Sequence, residues 1–267
     1  MDFILSEIFV YPIKSASGIS LNEANIGEKG IEKDRRWMLI DAEGKFISQR
    51  SHPELSLITV KIETDGLTVS HKKKNYGNLF IPYYVDEENT ALVEIWNDKC
   101  PAVFVSNAAD CWFSKALGTQ CRLVYMPEKT KRIVDPRYSN SNKTVGFADG
   151  YPFLLMGQSS LDDLNSKLQK SIKMNRFRPN LVFTGGKPFI EDDWKEFQIN
   201  NITFYLVKPC ARCVVTTVDQ ETGLKGKEPL VTLSSYRMKN NKVYFGQNLI
   251  CEGSGIINVG DPLFLVK

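Results

Sequence analysis

The chain has 267 residues, of which 42% are hydrophobic and 24% are charged, and its formal net charge is +3. This length allows one large or two small domains, and the small net charge argues against a protein that binds nucleic acid or anionic membranes through whole basic faces. We expect no nucleic-acid partner and no membrane partner, so any use of positive charge must be local.

The beginning of the sequence, MDFILSE, carries acidic residues and no basic segment, and it does not resemble a signal peptide. No apolar run approaches the roughly 20 residues that cross a bilayer. The six cysteines are too sparse for a disulfide framework, which favours a reducing compartment. We therefore expect a soluble protein of the cytoplasm.

Short strands dominate the first hundred residues. Residues 37–40 and 46–48 are two predicted strands around an Asp-Ala-Glu-Gly loop. Residues 57–63 alternate between apolar and polar side chains, and an Asp-Gly turn leads from them into a further strand at 67–69. Two hairpins are therefore expected in this region.

Two helices are predicted in the whole sequence. The first covers residues 107–117, with Asn107 at its N-cap and Gly118 as its stop. The second covers residues 160–168 and begins with a Ser-x-x-Asp capping box at Ser160. Helices are thus a minor part of the predicted structure.

Strands return in the last third of the sequence. Residues 197–199 and 202–207 flank two asparagines that tolerate a tight turn, and further strands are predicted at 214–218, 244–250 and 263–266. Many short strands with two helices predict a mainly β (α+β) protein built from barrels or sandwiches, rather than a doubly wound sheet.

The polar, basic stretch 127–143 is the best candidate for a domain boundary, which would divide the chain into residues 1–126 and 127–267. The alternative is a long surface loop inside one domain. Within this stretch, the basic residues 129–132 are expected to form a solvated loop, although they could shape a substrate or partner surface.

The most informative segment is KPCARCVVTTVD at 208–219, which contains the Cys-x-x-Cys pair Cys210 and Cys213. A structural zinc site needs four cysteine or histidine ligands, and the two histidines, His52 and His71, lie far from this pair along the chain. A thioredoxin-like motif would open a helix, whereas the β-branched residues after Cys213 predict a strand. Taken alone, the pair could be redox-active, metal-binding or merely buried.

With its neighbours, this segment resembles the MOSC domain, in particular the subgroup that contains the mitochondrial amidoxime-reducing component and the bacterial YcbX proteins. The other matching segments follow the family's order along nearly the whole chain: YPIKS (11–15), KDRRW (33–37), FADGYP (147–152), NRFRPN (175–180), FGQN (245–248) and VGDP (259–262). The resemblance implies a β-rich MOSC N-terminal domain over residues 1–126 and a MOSC β-barrel domain with a few helices over residues 127–267.

The resemblance also implies a molybdenum-molybdopterin cofactor, which presents a phosphate, a polar pterin edge and a soft metal held by a dithiolene. A protein must supply fixed cations to the phosphate, hydrogen bonds to the pterin and one thiolate to the metal. In the family the second cysteine of the motif is the ligand. Cys213 is therefore the predicted metal ligand and catalytic thiolate, and Cys210 is a supporting residue.

The other matched segments supply the residues expected to bind the cofactor. Within KDRRW the family match falls on Arg35, and since Arg36 would point to the opposite face of a strand, only Arg35 should reach the site. Arg178 and Asn180, two apart on an extended segment, would share a face and grip one ligand. Arg212 would hold the cofactor or keep the adjacent thiol ionised. The predicted cofactor-binding set is Lys14, Ser15, Arg35, Asp149, Tyr151, Arg178, Asn180 and Arg212.

The function implied by the resemblance is a reductase of N-hydroxylated small molecules, such as hydroxylamines, amidoximes and N-hydroxylated bases. Neither the ferredoxin-like domain of some bacterial relatives nor the apolar anchor of mitochondrial relatives is expected, so electrons would come from a separate flavin, cytochrome b5-type or ferredoxin-type protein. Two alternatives stay open: a sulfur carrier with a persulfide on Cys213, and a protein that binds the cofactor without turnover.

Overall fold

The computed structural model describes residues 2–138 and 143–266. The strands in this part of the chain are β1 (Phe3–Val10), β2 (Ile19–Leu21), β3 (Glu23–Gly27), β4 (Gly30–Ile31), β5 (Trp37–Ile40), β6 (Ile58–Ile62), β7 (Gly66–His71), β8 (Leu79–Pro82), β9 (Thr90–Ile95), β10 (Asp98–Phe104), β11 (Arg122–Tyr125), β12 (Phe153–Gly157), β13 (Leu181–Thr184), β14 (Glu196–Ile199), β15 (Ile202–Arg212), β16 (Met238–Lys239), β17 (Lys242–Glu252), β18 (Gly255–Asn258) and β19 (Pro262–Leu265).

The α-helices of the described residues are α1 (Asn107–Leu117), α2 (Gln158–Lys167) and α3 (Leu230–Arg237). Four short 3₁₀ segments accompany them, at Pro53–Leu57, Met174–Arg176, Ile190–Asp193 and Val214–Thr217. None of the helices in the described ranges has both the length and the apolar character needed to cross a membrane. The prediction of a mainly β protein with few helices is confirmed.

Seven strands form a closed barrel in the order β12–β13–β1–β19–β14–β15–β17, because β17 pairs with β12 as well as with β15. The neighbouring strands are antiparallel except for β12 and β13, which are parallel. Inside the barrel, Phe204 stacks on Phe197 at a centroid distance of 5.1 Å, and Phe153 packs edge-on against it at 5.4 Å. Closure pairs the strand edges, and this aromatic core stabilises the frame.

Strands β2 and β16 pair with β1 and β17 and belong to the same sheet as the barrel strands. The remaining strands form three smaller sheets, in the orders β5–β11–β10–β9, β6–β7–β8 and β18–β3–β4. Helix α1 packs on β8 and β11, and it buries Trp112 and Phe113 in a core shared with Trp37 and Leu123. This second core holds the turns on either side of β5 in fixed positions beside the barrel.

Strand β1 lies in the same sheet as the strands that follow residue 152, since it pairs with both β13 and β19. Strand β3 likewise pairs with β18. The division of the chain at residues 126 and 127 stays a prediction, and residues 139–142 of the proposed boundary stretch lie outside the described residues.

Both predicted hairpins with a tight turn are confirmed. Strands β6 and β7 pair from Ile58 opposite His71 to Ile62 opposite Leu67. Strands β14 and β15 pair around Asn200, whose φ of 53° lies in the left-handed region. Residues 46–48 form no strand, although one backbone hydrogen bond joins this segment to β5.

Both predicted helices exist and Gly118 ends α1 as predicted, but the predicted N-caps are wrong. The N-cap of α1 is Ser106 rather than Asn107, because the Ser106 hydroxyl accepts a hydrogen bond from the Ala109 N–H at 3.1 Å. Helix α2 begins two residues before Ser160, and the Ser160 hydroxyl donates to the buried carboxylate of Glu191 at 2.9 Å. Ser160 therefore ties α2 to a distant segment instead of capping it.

The predicted strand at 214–218 is wrong, because Val214–Thr217 is a 3₁₀ turn. The hydroxyl of Thr216 donates to the Cys213 carbonyl at 2.9 Å, and that of Thr217 donates to the Val214 carbonyl at 2.8 Å. These local hydrogen bonds outweigh the strand preference of β-branched residues. The Cys-x-x-Cys pair therefore lies at the end of β15, just before a tight turn.

Candidate functional site

A cavity of about 190 Å³ lies beside the end of β15. The residues predicted for the site all line this cavity: Lys14, Ser15, Arg35, Asp149, Tyr151, Arg178, Asn180, Arg212 and Cys213. Cys210 and Arg50 line it as well. Five basic side chains and one acidic side chain thus face a single small space, and such an arrangement favours an anionic ligand.

Cys213 presents a free thiol from the residue that follows β15. A guanidinium N–H of Arg50 donates to its Sγ at 3.3 Å. The Cys213 carbonyl accepts hydrogen bonds from both the N–H and the hydroxyl of Thr216, at 3.1 and 2.9 Å. The backbone that carries the sulfur is therefore fixed from within the turn.

The second thiol, that of Cys210, has a different environment. Its Sγ accepts a hydrogen bond from Arg212 Nη1 at 3.0 Å, and its side chain packs against a buried cluster that contains Phe177. Arg212 also donates from Nη2 to the Phe177 carbonyl at 2.6 Å. Of the two roles predicted for Arg212, holding the cofactor and keeping Cys213 ionised, the first stays a prediction, because the thiol that its guanidinium contacts is that of Cys210.

Two guanidinium groups lie on the ring of Tyr11, with Arg35 at 4.3 Å and Arg178 at 4.2 Å from the ring centroid. Tyr11 is only 1% exposed, and burial raises its pKa to about 12 although both arginines act in the opposite direction. Stacking on an aromatic ring stabilises these like charges close together. Tyr11 lies in the matched YPIKS segment, but the sequence does not predict its stacking with Arg35 and Arg178, because only the folded chain brings these residues together.

Arg35 reaches the cavity from a turn rather than from a strand. Its φ is 46°, and Nη1 donates to Asp34 at 2.5 Å and to Asn180 Oδ1 at 3.0 Å. Burial raises the pKa of Asp34, and the charge of Arg35 opposes this shift. Arg36 turns away to Glu128. Of these two arginines, Arg35 lines the cavity and Arg36 does not, and the reason is a left-handed turn instead of strand alternation.

The extended segment expected at 178–180 is wrong, because Arg178 has a φ of 57°. Arg178 Nη1 donates to the Ala16 carbonyl at 2.7 Å, and burial lowers the pKa of this arginine to about 10. The amide of Asn180 is occupied: its oxygen accepts from Arg35, and its nitrogen donates to the Phe9 carbonyl at 3.2 Å. Asn180 therefore positions Arg35, and both it and Arg178 line the cavity.

Lys14 and Asp149 form an ion pair at 2.6 Å. Burial lowers the pKa of Lys14 to about 8, and Asp149 offsets this shift only in part. For Asp149, desolvation raises the pKa, but the charges of Lys14 and Arg50 outweigh it and hold the pKa well below its usual range. The Asp149 side chain is still 58% exposed. Water therefore screens its ion pairs with Lys14 and Arg50, and these pairs add little to stability.

The turn that carries Asp149 is held by Arg132, which is buried with a side-chain exposure of 4%. Its guanidinium donates to the carbonyls of Gly146, Ala148 and Asp149 at 3.0, 2.5 and 3.0 Å. The prediction of a solvated loop is therefore wrong for this residue. The sequence pattern, a basic residue in a polar stretch, does not predict that Arg132 donates to backbone carbonyls.

Ser15 and Tyr151 complete the predicted set on the cavity wall. Ser15 has a φ of 70°, and its carbonyl accepts from Gln49 Nε2 at 2.7 Å, which fixes the turn. Tyr151 packs edge-on against Tyr138 at 6.2 Å, and burial raises its pKa to about 12. Both side chains are neutral at physiological pH and suit hydrogen bonding to a polar ligand.

The donors of the cavity fit a ligand with a phosphate and a thiolate-bound metal. Arg178 Nη2 and Arg212 Nε are buried, and neither has a hydrogen-bond partner in the described part of the chain. Buried N–H groups are costly without a partner, so these two atoms are natural contacts for an anion. The free thiol of Cys213 lines the same cavity and supplies a soft ligand.

Comparison with known proteins gives two matching family models and several relatives that align with nearly the whole of this chain. Residues 2–120 match the MOSC N-terminal beta barrel domain, and residues 142–264 match the MOSC domain. Mitochondrial amidoxime-reducing component 1 of Mus musculus is 35% identical over 98% of this chain and 82% of its own length, and that of Homo sapiens is 33% identical over the same shares. Molybdenum cofactor sulfurase of Oryza sativa subsp. japonica is 31% identical over 92% of this chain but only 32% of its own length.

Proposed function

Because this chain belongs to the MOSC family, with an N-terminal MOSC barrel region before its MOSC domain, we propose that it is a molybdenum-cofactor-dependent reductase of N-hydroxylated compounds. A free thiol in a cavity lined by five basic side chains carries this proposal. The relatives named amidoxime-reducing components align with nearly the whole chain, which supports the proposed substrate class.

In this proposal Cys213 ligates the metal, and the arginines hold the anionic part of the cofactor. Arg178 and Arg212 each have a buried N–H group to donate, and Arg35 lies with Arg178 on the ring of Tyr11. When bound, the cofactor supplies the two-electron chemistry that removes oxygen from nitrogen. The protein contributes fixed charge and position, in a cavity whose cations need no rearrangement to meet an anion.

The remaining side chains act on protons and on the substrate. Reduction of an N–OH group consumes two electrons and two protons and releases one water. Lys14 holds a proton on Nζ, 2.6 Å from the partly exposed carboxylate of Asp149, which has acceptor capacity left for the N–H groups of a substrate. The electrons are proposed to come from a separate redox protein.

The test begins with protein purified from a host that makes the cofactor. We expect stoichiometric molybdenum, the fluorescence of oxidised pterin, and reduction of benzamidoxime with chemically supplied electrons. Cys213→Ser should abolish turnover but keep much of the pterin, because the arginine contacts remain. Cys210→Ser is the matched control and should be far milder. Equal losses in both variants would contradict the assignment of Cys213 as ligand.

A sulfur carrier is the second candidate, and the alignment of molybdenum cofactor sulfurases with 92% of the chain favours it. In this case Cys213 would carry a persulfide. Mass spectrometry of the purified protein separates the two functions. A persulfide on Cys213 without bound molybdenum would favour the sulfur carrier over the reductase. Stoichiometric molybdenum and pterin without benzamidoxime reduction would instead indicate a cofactor-binding protein that turns nothing over.

A further inference from the structure

Arg50 is the one basic residue of the cavity that lies outside the matched sequence segments. It belongs to the turn at residues 49–51, between β5 and the 3₁₀ segment Pro53–Leu57. Its side chain is 27% exposed, and its guanidinium meets the thiol of Cys213, a residue 163 positions further along the chain. The N-terminal half of the chain therefore supplies a direct contact to the sulfur.

Three segments hold Arg50 in this place. Its guanidinium lies 4.4 Å from the ring centroid of Trp96, at the tip of the β9–β10 hairpin, and 3.4 Å from the carboxylate of Asp149. Its carbonyl accepts a hydrogen bond from Lys225 Nζ at 2.6 Å. Trp96 has a φ of 58° and packs edge-on against Phe46 at 5.1 Å. The ring of Trp96, the carboxylate of Asp149 and the hydrogen bond from Lys225 already restrain Arg50. Its side chain therefore loses little further conformational entropy when it donates to the sulfur.

The two thiols of the motif each have one guanidinium partner, but the partners differ in origin. Cys210 takes Arg212 from its own strand at 3.0 Å, whereas Cys213 takes Arg50 at 3.3 Å from the other half of the chain. The contact to Cys213 therefore exists only after the whole molecule has folded. Arg50 is thus suited to act on the thiol that faces the cofactor.

We propose that Arg50 is a positioning residue that directs the Cys213 sulfur into the cavity and withdraws charge from this sulfur when the sulfur ligates the metal. This inference rests on the proposed function. An N–H donor to a metal-bound thiolate lowers the charge on sulfur and raises the reduction potential of the centre. Arg50 therefore makes the centre easier for an external donor to reduce.

The experiment compares Arg50→Gln, whose shorter, neutral side chain loses both the charge and the donor at the sulfur, with Arg50→Lys, which keeps a charged N–H donor. Arg122→Gln is the matched control, because Arg122 also stacks on an aromatic ring, Phe104 at 3.3 Å, and pairs with an aspartate, Asp110 at 2.9 Å, outside the cavity. In each purified protein, molybdenum and pterin are quantified. The midpoint potential of the metal is then measured by redox titration followed by electron paramagnetic resonance.

We expect a lower midpoint potential in Arg50→Gln, a kcat reduced about 10- to 100-fold with a smaller change in KM, and partial recovery in Arg50→Lys. Arg122→Gln should match the wild type in every measurement. Trp96→Leu, which removes the ring under the guanidinium, should shift the potential in the same direction but less.

A loaded Arg50→Gln variant with the wild-type potential would overturn the inference and leave the proposed function intact. If Arg50→Gln does not load, an unchanged potential in Trp96→Leu would overturn the inference in the same way. Absence of molybdenum from the wild-type protein would overturn the proposed function, and this inference with it.

Discussion

Tyr11 combines a useful ring with a hydroxyl that has no hydrogen-bond partner in the described part of the chain. Both Arg35 and Arg178 lie against the ring, while a buried hydroxyl without a partner costs ~1–3 kcal/mol. In the protein without cofactor, we expect Tyr11→Phe to leave the free energy of unfolding unchanged or to increase it. If the hydroxyl contacts the cofactor, the same variant should retain less pterin.

Urea denaturation and pterin fluorescence test this prediction for Tyr11. Tyr11→Leu is the comparison, because loss of the ring should both destabilise the fold and remove the aromatic contact of the two arginines. A clear destabilisation by Tyr11→Phe would mean that the hydroxyl has a partner in the folded protein.

Lys14 makes anion binding sensitive to pH. Its pKa of about 8 means that the folded protein loses this charge as the pH rises through 8, whereas the unfolded chain keeps it to about 10.5. Between these values the unfolded state binds more protons, so this group increases the stability as the pH rises, while the cavity loses a cation. We expect sulfate, whose charge is constant in this range, to bind the cofactor-free protein more weakly at pH 9 than at pH 7.

Isothermal titration calorimetry at the two pH values measures this effect of Lys14. In Lys14→Met, sulfate should bind weakly at both values, with most of the pH dependence lost. Lys61→Met, at a largely exposed lysine outside the cavity, is the control. Equal affinity of the wild-type protein at pH 7 and pH 9 would contradict the assignment.

The site residues were predicted from sequence motifs, and the structure brings all of them to one cavity. Arg50 and Arg132 could not be found in this way, because their partners are a thiol 163 residues away and a set of backbone carbonyls. The motif also could not assign the thiol partners, since Arg212 is adjacent to Cys213 in sequence but bonds to Cys210. Such contacts are properties of the folded chain.

At the scale of single elements, hairpins were predictable because alternation and turn residues are local signals. The β6–β7 and β14–β15 pairs follow such signals directly. The turn Val214–Thr217 was not predictable from propensity, because its threonine hydroxyls bond to the preceding carbonyls. The capping box predicted at Ser160 does not form, because the Ser160 hydroxyl donates to the distant carboxylate of Glu191.

The cap of α1 gives a quantitative prediction at this scale. Ser106→Ala removes the hydroxyl that accepts from the Ala109 N–H, and we expect a loss of about 1 kcal/mol in the free energy of unfolding. Asn107→Ala, at the neighbouring exposed position, should change it much less. Urea denaturation of the two variants decides between the two caps, and a larger loss in Asn107→Ala would contradict the assignment.

At the scale of the whole molecule, the barrel depends on β1. This strand lies between β13 and β19, so the fragment 127–267 would leave both of these edges unpaired. It would also lack Lys14, Arg35 and Arg50 from the cavity. We expect this fragment to show no cooperative unfolding transition by circular dichroism in urea, unlike the whole chain. A cooperative transition would support an independently folding domain after residue 126.

The pairing of Phe3 with Leu263 sets an order of events during protein synthesis. The ribosome makes β1 well before its partner β19, so the barrel cannot close until β19 has been synthesised. Contacts between residues so far apart form late and slowly in folding. The cavity beside the barrel should therefore form only after β19 has left the ribosome.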